Sequence, residues 1–362
     1  MKHDLKKICG FFELYGEFVI GMPYGSGHIN DTYLVKFNQG GSIIDYIIQR
    51  VNHNVFKQPE LVMDNIVRVT EHLIRKNGDD FTRRSMQLLK TADGRPFVRD
   101  GEGNCWRGYV FVDQARTYDV LEFPRQAYEA ARAFGKFQCD LVDLPGGRLH
   151  ETIPDFHNTP ARLAMLEKAI AADRCGRVAE CAAEIDFVMA RRDVVGRLLE
   201  LHRQGLIPER ITHNDTKLNN VLIDDKTGEG ICVIDLDTVM PGLVHYDFGD
   251  MVRTGTSPAA EDEKDLSKVG MRFEMFEALL RGYLDGAGAF LTETELENLP
   301  FSGKLITLEI GIRFLTDYLE GDVYFKTHRP GHNLDRCRTQ FKLVESIEQQ
   351  MDQMMALLHS LK

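Results

Sequence analysis

Acidic and amide side chains are concentrated in one stretch of the chain, residues 211–238. Asp215 comes two positions after a histidine, and Asn220 follows the aspartate by five residues. Asp235 and Asp237 come later, directly after an apolar run. Phosphoryl transfer needs such a set: a carboxylate to accept the hydroxyl proton, and an amide with a second carboxylate to hold Mg²⁺ on the phosphates. The spacing therefore predicts Asp215 as the catalytic base and the later residues as metal ligands.

A second acidic motif competes for the metal. Asp247 opens the sequence Asp-Phe-Gly-Asp, which resembles the magnesium motif of protein kinases. The metal carboxylate should end the strand that pairs back from the catalytic loop, and we expect that strand to end at Asp235. Asp247 lies beyond a Pro-Gly pair, where a helix cap or a buried carboxylate bracing the catalytic loop is expected. Asp237 would share a strand face with Asp235 if extended geometry continued, as a second metal ligand or a supporting acid.

The segments around this stretch predict an α+β fold with two lobes. Three β-rich runs between residues 18 and 51, split by Gly-containing loops, predict an antiparallel sheet, and Pro59 opens one main helix. From Pro124 onward the apolar spacing is mostly helical. We expect a small antiparallel β-sheet lobe that binds nucleotide over residues 1–112. The larger, mostly α-helical lobe, residues 113–362, would carry the catalytic loop and a β-hairpin.

Several residues are candidates for contacting a nucleotide. The loop after the first predicted strand contains Gly25, Ser26 and Gly27, whose backbone N–H groups could bind phosphates. The third strand carries Gln49 and an arginine where protein kinases have a phosphate-binding lysine, and only one of the two can face the nucleotide. Lys217 could reach the γ-phosphate or the acceptor, with a solvated loop lysine as the alternative.

Composition narrows the class of protein. The 362 residues are 43% hydrophobic and 27% charged, as in a globular protein with a full core. The net charge of −11 argues against nucleic acid or an anionic membrane as the main partner. No apolar run approaches the ~20 residues of a membrane span, and the start lacks a signal-peptide pattern. Seven scattered cysteines indicate a reduced, cytoplasmic compartment, and no obligate protein partner is evident.

The motifs HND-TKLNN and VIDLDT resemble those of the aminoglycoside phosphotransferase and choline kinase group of small-molecule kinases. A fuller set of segments resembles the bacterial N-acetylhexosamine 1-kinases over residues 18–345: PYGSGHINDTYLV, YIIQRVN, ITHNDTKLNNVLID, IDLDTVMPG, DFGDMVR, EDEKDLSKV and GIRFLTDYLEGDVYF. Gln49 departs from the basic residue of the wider superfamily but suits this narrower group. The resemblance implies a protein-kinase-like fold and an ATP- and Mg²⁺-dependent reaction that phosphorylates the anomeric hydroxyl of GlcNAc or GalNAc.

The same resemblance implies contacts to the sugar. Carried over by position, His28, Arg253, Arg313 and Tyr324 would contact the substrate together with Asp215. Ordinary structural roles are the alternative for all four residues that the resemblance adds; for Arg313 this is an ion pair with Asp317 or Glu320 of the same helix. A neutral sugar also fits the sequence. An aminoglycoside would call for an acidic cleft and choline for an aromatic cage, and residues 301–325 supply both aromatic rings and acids, so this argument leaves those acceptors open.

Two other functions stay open on the sequence. One is a kinase for a different small alcohol, such as an amino alcohol, homoserine or methylthioribose. The other is a nucleotide-binding scaffold without catalysis, suggested by the missing strand lysine. The intact base, amide and metal carboxylate argue against the scaffold.

Overall fold

The computed structural model describes residues 3–25, 29–118 and 120–362. A five-stranded antiparallel sheet, ordered β1-β2-β3-β5-β4, forms the small lobe. Its strands are β1 (Glu17–Pro23), β2 (Asp31–Gln39), β3 (Ser42–Val51), β4 (Val98–Arg99) and β5 (Cys105–Val110). Helices α1 (Leu5–Cys9), α2 (Pro59–Asn77) and α3 (Phe81–Arg84) accompany it. The three predicted strands and the main helix are confirmed. Before β4, Leu88 forms an isolated bridge to Tyr109 of β5.

The larger lobe is mainly helical. Its helices are α4 (Pro124–Asp140), α5 (Thr159–Ala172), α6 (Ala182–Met189), α7 (Arg197–Arg203), α8 (Val244–Gly255), α9 (Phe273–Ala287), α10 (Glu293–Glu297), α11 (Leu299–Glu320) and α12 (His332–Leu361). Its short strands are β6 (Ala115–Arg116), β7 (Arg210–Thr212), β8 (Val221–Asp224), β9 (Gly230–Val233) and β10 (Met240–Gly242). Strands β6, β8 and β9 form one sheet, and β7 pairs with β10. The predicted hairpin and the two-lobed α+β class are confirmed.

Helix α11 forms the centre of the larger lobe. It is apolar over most of its surface and almost wholly buried, as expected of a helix packed on all sides. It crosses α8 closely at two glycines. A Cβ on Gly249 would lie 2.5 Å from the carbonyl oxygen of Ser302, and one on Gly303 would lie 2.7 Å from Val252. The glycine of the Asp-Phe-Gly-Asp motif therefore serves helix packing.

Helix α2 attaches the small lobe to the larger one. Its residues Met63 and Ile66 belong to an apolar core that continues into the larger lobe at Phe134 and Val239. Asn65 of the same helix donates hydrogen bonds from Nδ2 to the carbonyl oxygens of His150 (2.8 Å) and Val239 (3.0 Å). A shared core and directional bonds thus hold α2 at the interface. The predicted lobe boundary at residues 112 and 113 lies between β5 and β6 and stays a prediction.

All seven cysteines carry free thiols. Burial raises the pKa of Cys9 and of Cys232 to about 12, so both are neutral and act as small apolar groups. Among the helices in the described parts of the chain, none is long and apolar enough to cross a membrane.

Candidate active site

The catalytic loop between β7 and β8 is held from below by a buried acid. Asp247 of α8 accepts the backbone N–H of His213 on Oδ2 (2.8 Å) and that of Asn214 on Oδ1 (2.7 Å). Gln138 donates a further hydrogen bond to Oδ2 at 2.6 Å. Burial raises the pKa of Asp247, whereas these donors favour its ionised form. The expectation that Asp247 braces the catalytic loop is confirmed, and its oxygens are directed at the loop backbone.

The turn that carries Asp235 does not continue the strand. β9 ends at Val233, Asp235 has φ 59° and ψ 60°, and Leu236–Thr238 form a single 3₁₀ turn. The expectation that the strand reaches Asp235 is wrong, and with it the argument that Asp237 lies on the same strand face. A non-glycine residue in this left-handed conformation costs about 1 kcal/mol, so contacts around the turn must stabilise it.

Three hydrogen bonds join the catalytic loop to this turn. The ring Nε2 of His213 donates to the carbonyl oxygen of Ile234 at 2.9 Å, and the Ile234 N–H donates to the carbonyl oxygen of Asn220 at 2.9 Å. Asn214 donates from Nδ2 to the carbonyl oxygen of Thr238 at 2.9 Å. We call residues 213–220 and 234–238 together the catalytic floor. His213 is therefore structural, as its position before Asp215 suggested.

Asp215 lies on the catalytic floor between a cation and an amide. Nζ of Lys217 is 3.1 Å from its Oδ1, and Asn220 donates from Nδ2 to its carbonyl oxygen at 2.8 Å and toward Oδ2 at 3.4 Å. Burial alone would raise the pKa of Asp215, but Lys217 and His213 outweigh this and lower it. The carboxylate is therefore ionised and can accept or orient a hydroxyl proton.

Asn220 and Asp235 fit a magnesium ion. The Asp235 carboxylate is exposed in the cleft and makes no hydrogen bond to the described residues. Although its outer surface is open to solvent, the protein packed around the base of the carboxylate partly desolvates it, and with the nearby carboxylates of Asp237 and Asp215 this raises its pKa to about 6. This crowding of negative charge favours a cation. No group of three or more His, Cys, Asp or Glu side chains within the described ranges could hold a metal. Mg²⁺ needs no such group, because it uses one or two protein oxygens with water and phosphate.

The carboxylate of Asp237 accepts hydrogen bonds from two residues of the small lobe. Its Oδ1 accepts a hydrogen bond from Nη1 of Arg107 on β5, and its Oδ2 accepts one from Nδ2 of Asn30 at 2.5 Å. Arg107 also donates from Nε to Oε1 of Gln49 at 3.0 Å. This arrangement favours Asp237 as an acid that supports the turn over Asp237 as a direct metal ligand.

Neighbouring side chains of β3 point to opposite faces of the sheet, as strand geometry requires. Arg50 points away from the cleft and donates from Nε to Asp31 at 2.7 Å, whereas Gln49 faces Arg107 and the cleft. The two side chains therefore point to opposite faces of the sheet, as strand alternation predicts, and contact of Gln49 with a nucleotide stays a prediction. Gln49 stands where the strand lysine was expected, but in this structure it contacts an arginine on the neighbouring strand.

Part of the predicted phosphate loop cannot be placed. Ser26, Gly27 and His28 lie outside the described residues. Gly25 is described with φ 78°, a conformation that glycine adopts without strain. The assignment of these four residues to nucleotide or substrate stays a prediction.

Arg313 of α11 stands among aromatic rings. Its Cζ lies 5.4 Å from the ring centroid of Phe156, 5.8 Å from that of Tyr324 and 5.5 Å from that of Phe325. Asp317, the acid proposed as its ordinary partner, instead accepts the backbone N–H groups of residues 323–325. Within the described residues Arg313 has no ion pair. We call these four residues, Phe156, Arg313, Tyr324 and Phe325, the arginine pocket.

His157 connects the arginine pocket to the catalytic floor. Its Nε2 donates to the carbonyl oxygen of Asn214 at 3.1 Å, and its Nδ1 donates to Oε1 of Glu309 at 2.9 Å. Because both partners accept, the ring must be protonated to make both bonds. Burial alone would lower the pKa of His157, but Glu309 outweighs it and the pKa is raised. Glu309 lies one helical turn before Arg313, so His157 links the helix that carries Arg313 to the catalytic floor.

Arg253 is committed to two acids. It donates from Nε to Asp250 at 2.8 Å and from Nη1 to Glu261 at 2.9 Å, and it is buried. Its charge helps to lower the pKa of Asp215, which places it beneath the catalytic floor. Oδ2 of Asp250 is buried and has no hydrogen-bond partner among the residues described. A sugar contact by Arg253 stays a prediction.

Sequence reasoning missed several residues of the site. Arg107 has a signal, since it is a cation in an otherwise apolar strand. Asn30, Phe156, His157 and Glu309 have none, because only the folded chain brings them to the floor.

Residues 21–292, more than half of the chain, match the phosphotransferase enzyme family. The aminoglycoside phosphotransferase of Alicyclobacillus acidocaldarius is 12% identical with a TM-score of 0.57, over 94% of this chain and 92% of that one. The choline kinase of Cryptosporidium parvum is 15% identical with a TM-score of 0.57, over 98% of both chains.

A spectinomycin phosphotransferase, solved with ADP and spectinomycin, is 14% identical with a TM-score of 0.52, over 96% of this chain and 98% of that one. At these identities the structural likenesses show the fold alone, and they confirm the predicted kinase-like architecture. With the family matched over more than half of its length, the chain belongs to the phosphotransferase enzyme family.

Proposed function

We propose that the protein transfers the γ-phosphoryl group of ATP to the anomeric hydroxyl of an N-acetylhexosamine, GlcNAc or GalNAc, to give the α-1-phosphate. The observation that carries this proposal is the guanidinium of Arg313, which forms no ion pair with a described residue and lies one helical turn from Glu309, the partner of the His157 that bonds the catalytic floor. The sequence resemblance to N-acetylhexosamine 1-kinases supports the choice of sugar.

The arginine pocket suits a neutral acceptor. A guanidinium repels a quaternary ammonium or an aminoglycoside, whereas it donates hydrogen bonds to hydroxyl and amide oxygens of a neutral sugar. The rings of Phe156, Tyr324 and Phe325 offer flat apolar surfaces to a sugar face and an acetyl methyl group. Glu309, the acid one helical turn before Arg313, is already paired with His157.

Asp215 is the group that acts on the acceptor hydroxyl. Its low pKa makes it a weak base, which suits a loose transition state in which the hydroxyl proton leaves late. Asn220 holds the backbone carbonyl of Asp215 and lies within 3.4 Å of one carboxylate oxygen, while Lys217 pairs with the other in this structure. Most of the acceleration then comes from orienting the acceptor in line with the phosphate.

Asn220 and Asp235 would hold Mg²⁺, which when bound neutralises charge on the phosphates. Lys217 pairs with Asp215 in this structure and is half exposed, so it can turn toward the γ-phosphate when nucleotide binds. The remaining proposed nucleotide contacts are Gly25, Ser26, Gly27 and Gln49.

A panel of acceptors tests the proposal. ADP release is measured with ATP, Mg²⁺ and, separately, GlcNAc, GalNAc, glucose, choline, ethanolamine, homoserine and spectinomycin. We expect release with the N-acetylhexosamines, and a product whose anomeric proton is coupled to phosphorus in NMR spectra. Release only with amino alcohols or homoserine would replace the sugar by that acceptor. Nucleotide binding without release from any acceptor would favour a scaffold.

A further inference from the structure

The cation missing from the third strand is present one strand away. Gln49 of β3 and Arg107 of β5 are paired in register, and Arg107 donates from Nε to Oε1 of Gln49 at 3.0 Å. Arg107 is 1% exposed. A buried arginine needs a buried acid, because an uncompensated charge is strongly destabilising there.

The acid that pairs with Arg107 belongs to the other lobe. Asp237 accepts from Arg107 on one oxygen and from Asn30 on the other, so the small lobe holds both ends of this carboxylate. Asn30 is itself fixed, since its Oδ1 accepts the backbone N–H of Asn52 at 3.0 Å. The two residues therefore clamp the 3₁₀ turn of the catalytic floor to the sheet.

That turn sets the direction of the metal carboxylate. Asp235 immediately precedes the turn and has a left-handed backbone, which a non-glycine residue keeps only when its surroundings impose it. Asp237 is two residues away, so a change in its contacts changes the backbone that orients Asp235. No other side chain in the described chain bonds the Asp235 carboxylate.

We propose that Arg107 is a positioning residue: through Asp237, and together with Asn30, it holds the turn so that Asp235 presents its carboxylate to the cation of the bound nucleotide. Arg107 thereby replaces the strand lysine in joining the sheet to the catalytic machinery. The inference rests on the phosphotransferase function but not on the choice of acceptor.

A direct contact between Arg107 and a phosphate is the competing role. It would require breaking the bonds to Gln49 and Asp237, and the side chain offers almost no surface to a ligand. The two roles differ in their dependence on Mg²⁺. A phosphate contact affects nucleotide binding with or without the cation, whereas orientation of Asp235 matters only when the cation is present.

The test measures ADP binding by calorimetry, once with Mg²⁺ and once with EDTA, in Arg107→Met, Asp237→Asn and the double variant. We expect each single change to weaken Mg²⁺-ADP binding at least tenfold and to leave binding in EDTA within twofold of the unchanged protein. The double variant should be no weaker than the single ones, because both changes break one pair. Arg107→Lys should recover part of the Mg²⁺ effect.

Arg99→Met is the matched control. Arg99 lies on β4 of the same sheet and pairs with Glu60 of α2 at the surface, and its loss should leave both dissociation constants unchanged. If Arg107→Met does not fold, as differential scanning calorimetry would show, the double variant without either buried charge is measured in its place and should show the same selective loss.

Equal weakening with Mg²⁺ and with EDTA, or no weakening at all, would overturn the proposal. Because no acceptor takes part, a selective Mg²⁺ effect stands even if the sugar panel fails. Conversely, sugar phosphorylation with unchanged Mg²⁺-ADP binding in the variants would remove only this inference.

Discussion

The catalytic floor and the arginine pocket are built by different means. On the floor, the backbone on both sides of the reacting groups is fixed by hydrogen bonds that it donates to Asp247 and by bonds that the side chains of His213 and Asn214 donate to it. In the pocket, Arg313 is surrounded by ring faces, and Tyr324 is 66% exposed. Under the proposed function, the difference teaches that the groups for the chemistry are held rigidly, whereas acceptor choice would depend on weak contacts that can change without disturbing them.

The largest effect should come from the base on the floor. Asp215→Asn keeps the shape of the side chain but removes the acceptor of the hydroxyl proton, so kcat should fall about 10³-fold. Steady-state ADP release measures the loss, and calorimetry should show Mg²⁺-ADP binding within about threefold of the unchanged protein. Turnover close to the original value would refute the assignment of Asp215.

Substitution of Asp247, which braces the catalytic floor, and of Asp235, which belongs to it, should have different effects. Asp247→Ala leaves two buried backbone N–H groups without an acceptor, so it should lower the free energy of unfolding by about 4 kcal/mol. Asp235→Asn should leave thermal stability nearly unchanged and reduce Mg²⁺-dependent kcat about 10²-fold. A stable Asp247→Ala protein that has lost Mg²⁺ dependence, beside an active Asp235→Asn protein, would reverse the two roles.

The link between the two regions should depend on pH. The pKa of His157 is raised above its ordinary 6.5, so its stabilising charge is fully present below pH 6.5 and is lost as pH rises through the folded-state pKa. His157→Gln should therefore cost about 3 kcal/mol at pH 6 and progressively less toward pH 9. Urea unfolding of both proteins across this range measures the difference, and a cost that grows with pH would contradict a protonated His157.

Changes in the pocket should alter acceptor binding alone. Arg313→Met removes hydrogen-bond donors to the acceptor, so the KM for the sugar should rise about tenfold with the KM for ATP unchanged. Arg197→Met is the control, because Arg197 also packs on an aromatic ring of α11, that of Phe301, but is exposed on α7. Equal effects of the two substitutions would show that Arg313 serves packing only.

The smallest effect should come from the exposed ring. Tyr324→Phe keeps the stacking surface and removes one hydroxyl, so the KM for the sugar should rise about threefold. Initial rates over a range of sugar concentrations resolve this change. A large fall in kcat instead would place Tyr324 beside the reacting atoms. It would contradict the separation of chemistry on the catalytic floor from acceptor binding in the arginine pocket.

The same division explains what the sequence could predict. Asp215, Asn220 and Asp235 lie in one loop and the hairpin that follows it. Their spacing along the sequence was therefore enough to predict their chemical roles. Arg107 is 130 positions from Asp237, and His157 is 152 positions from Glu309, so only the fold brings these pairs together. The run of apolar residues before Asp235 favours continued strand, and the bonds from His213 and Asn214 that end it cannot be read from spacing.

Because of the position of Trp106, the unfolding of the two lobes can be followed by two different optical signals. It is the only tryptophan, and it lies in an apolar cluster on the outer face of the sheet, separate from the core that α2 shares with the larger lobe. Its indole N–H donates to Asp100 at 2.7 Å. Its emission therefore reports the small lobe, while far-ultraviolet circular dichroism is dominated by the helices of the large one. Denaturation followed by both signals in one sample reveals whether the lobes melt as one cooperative unit.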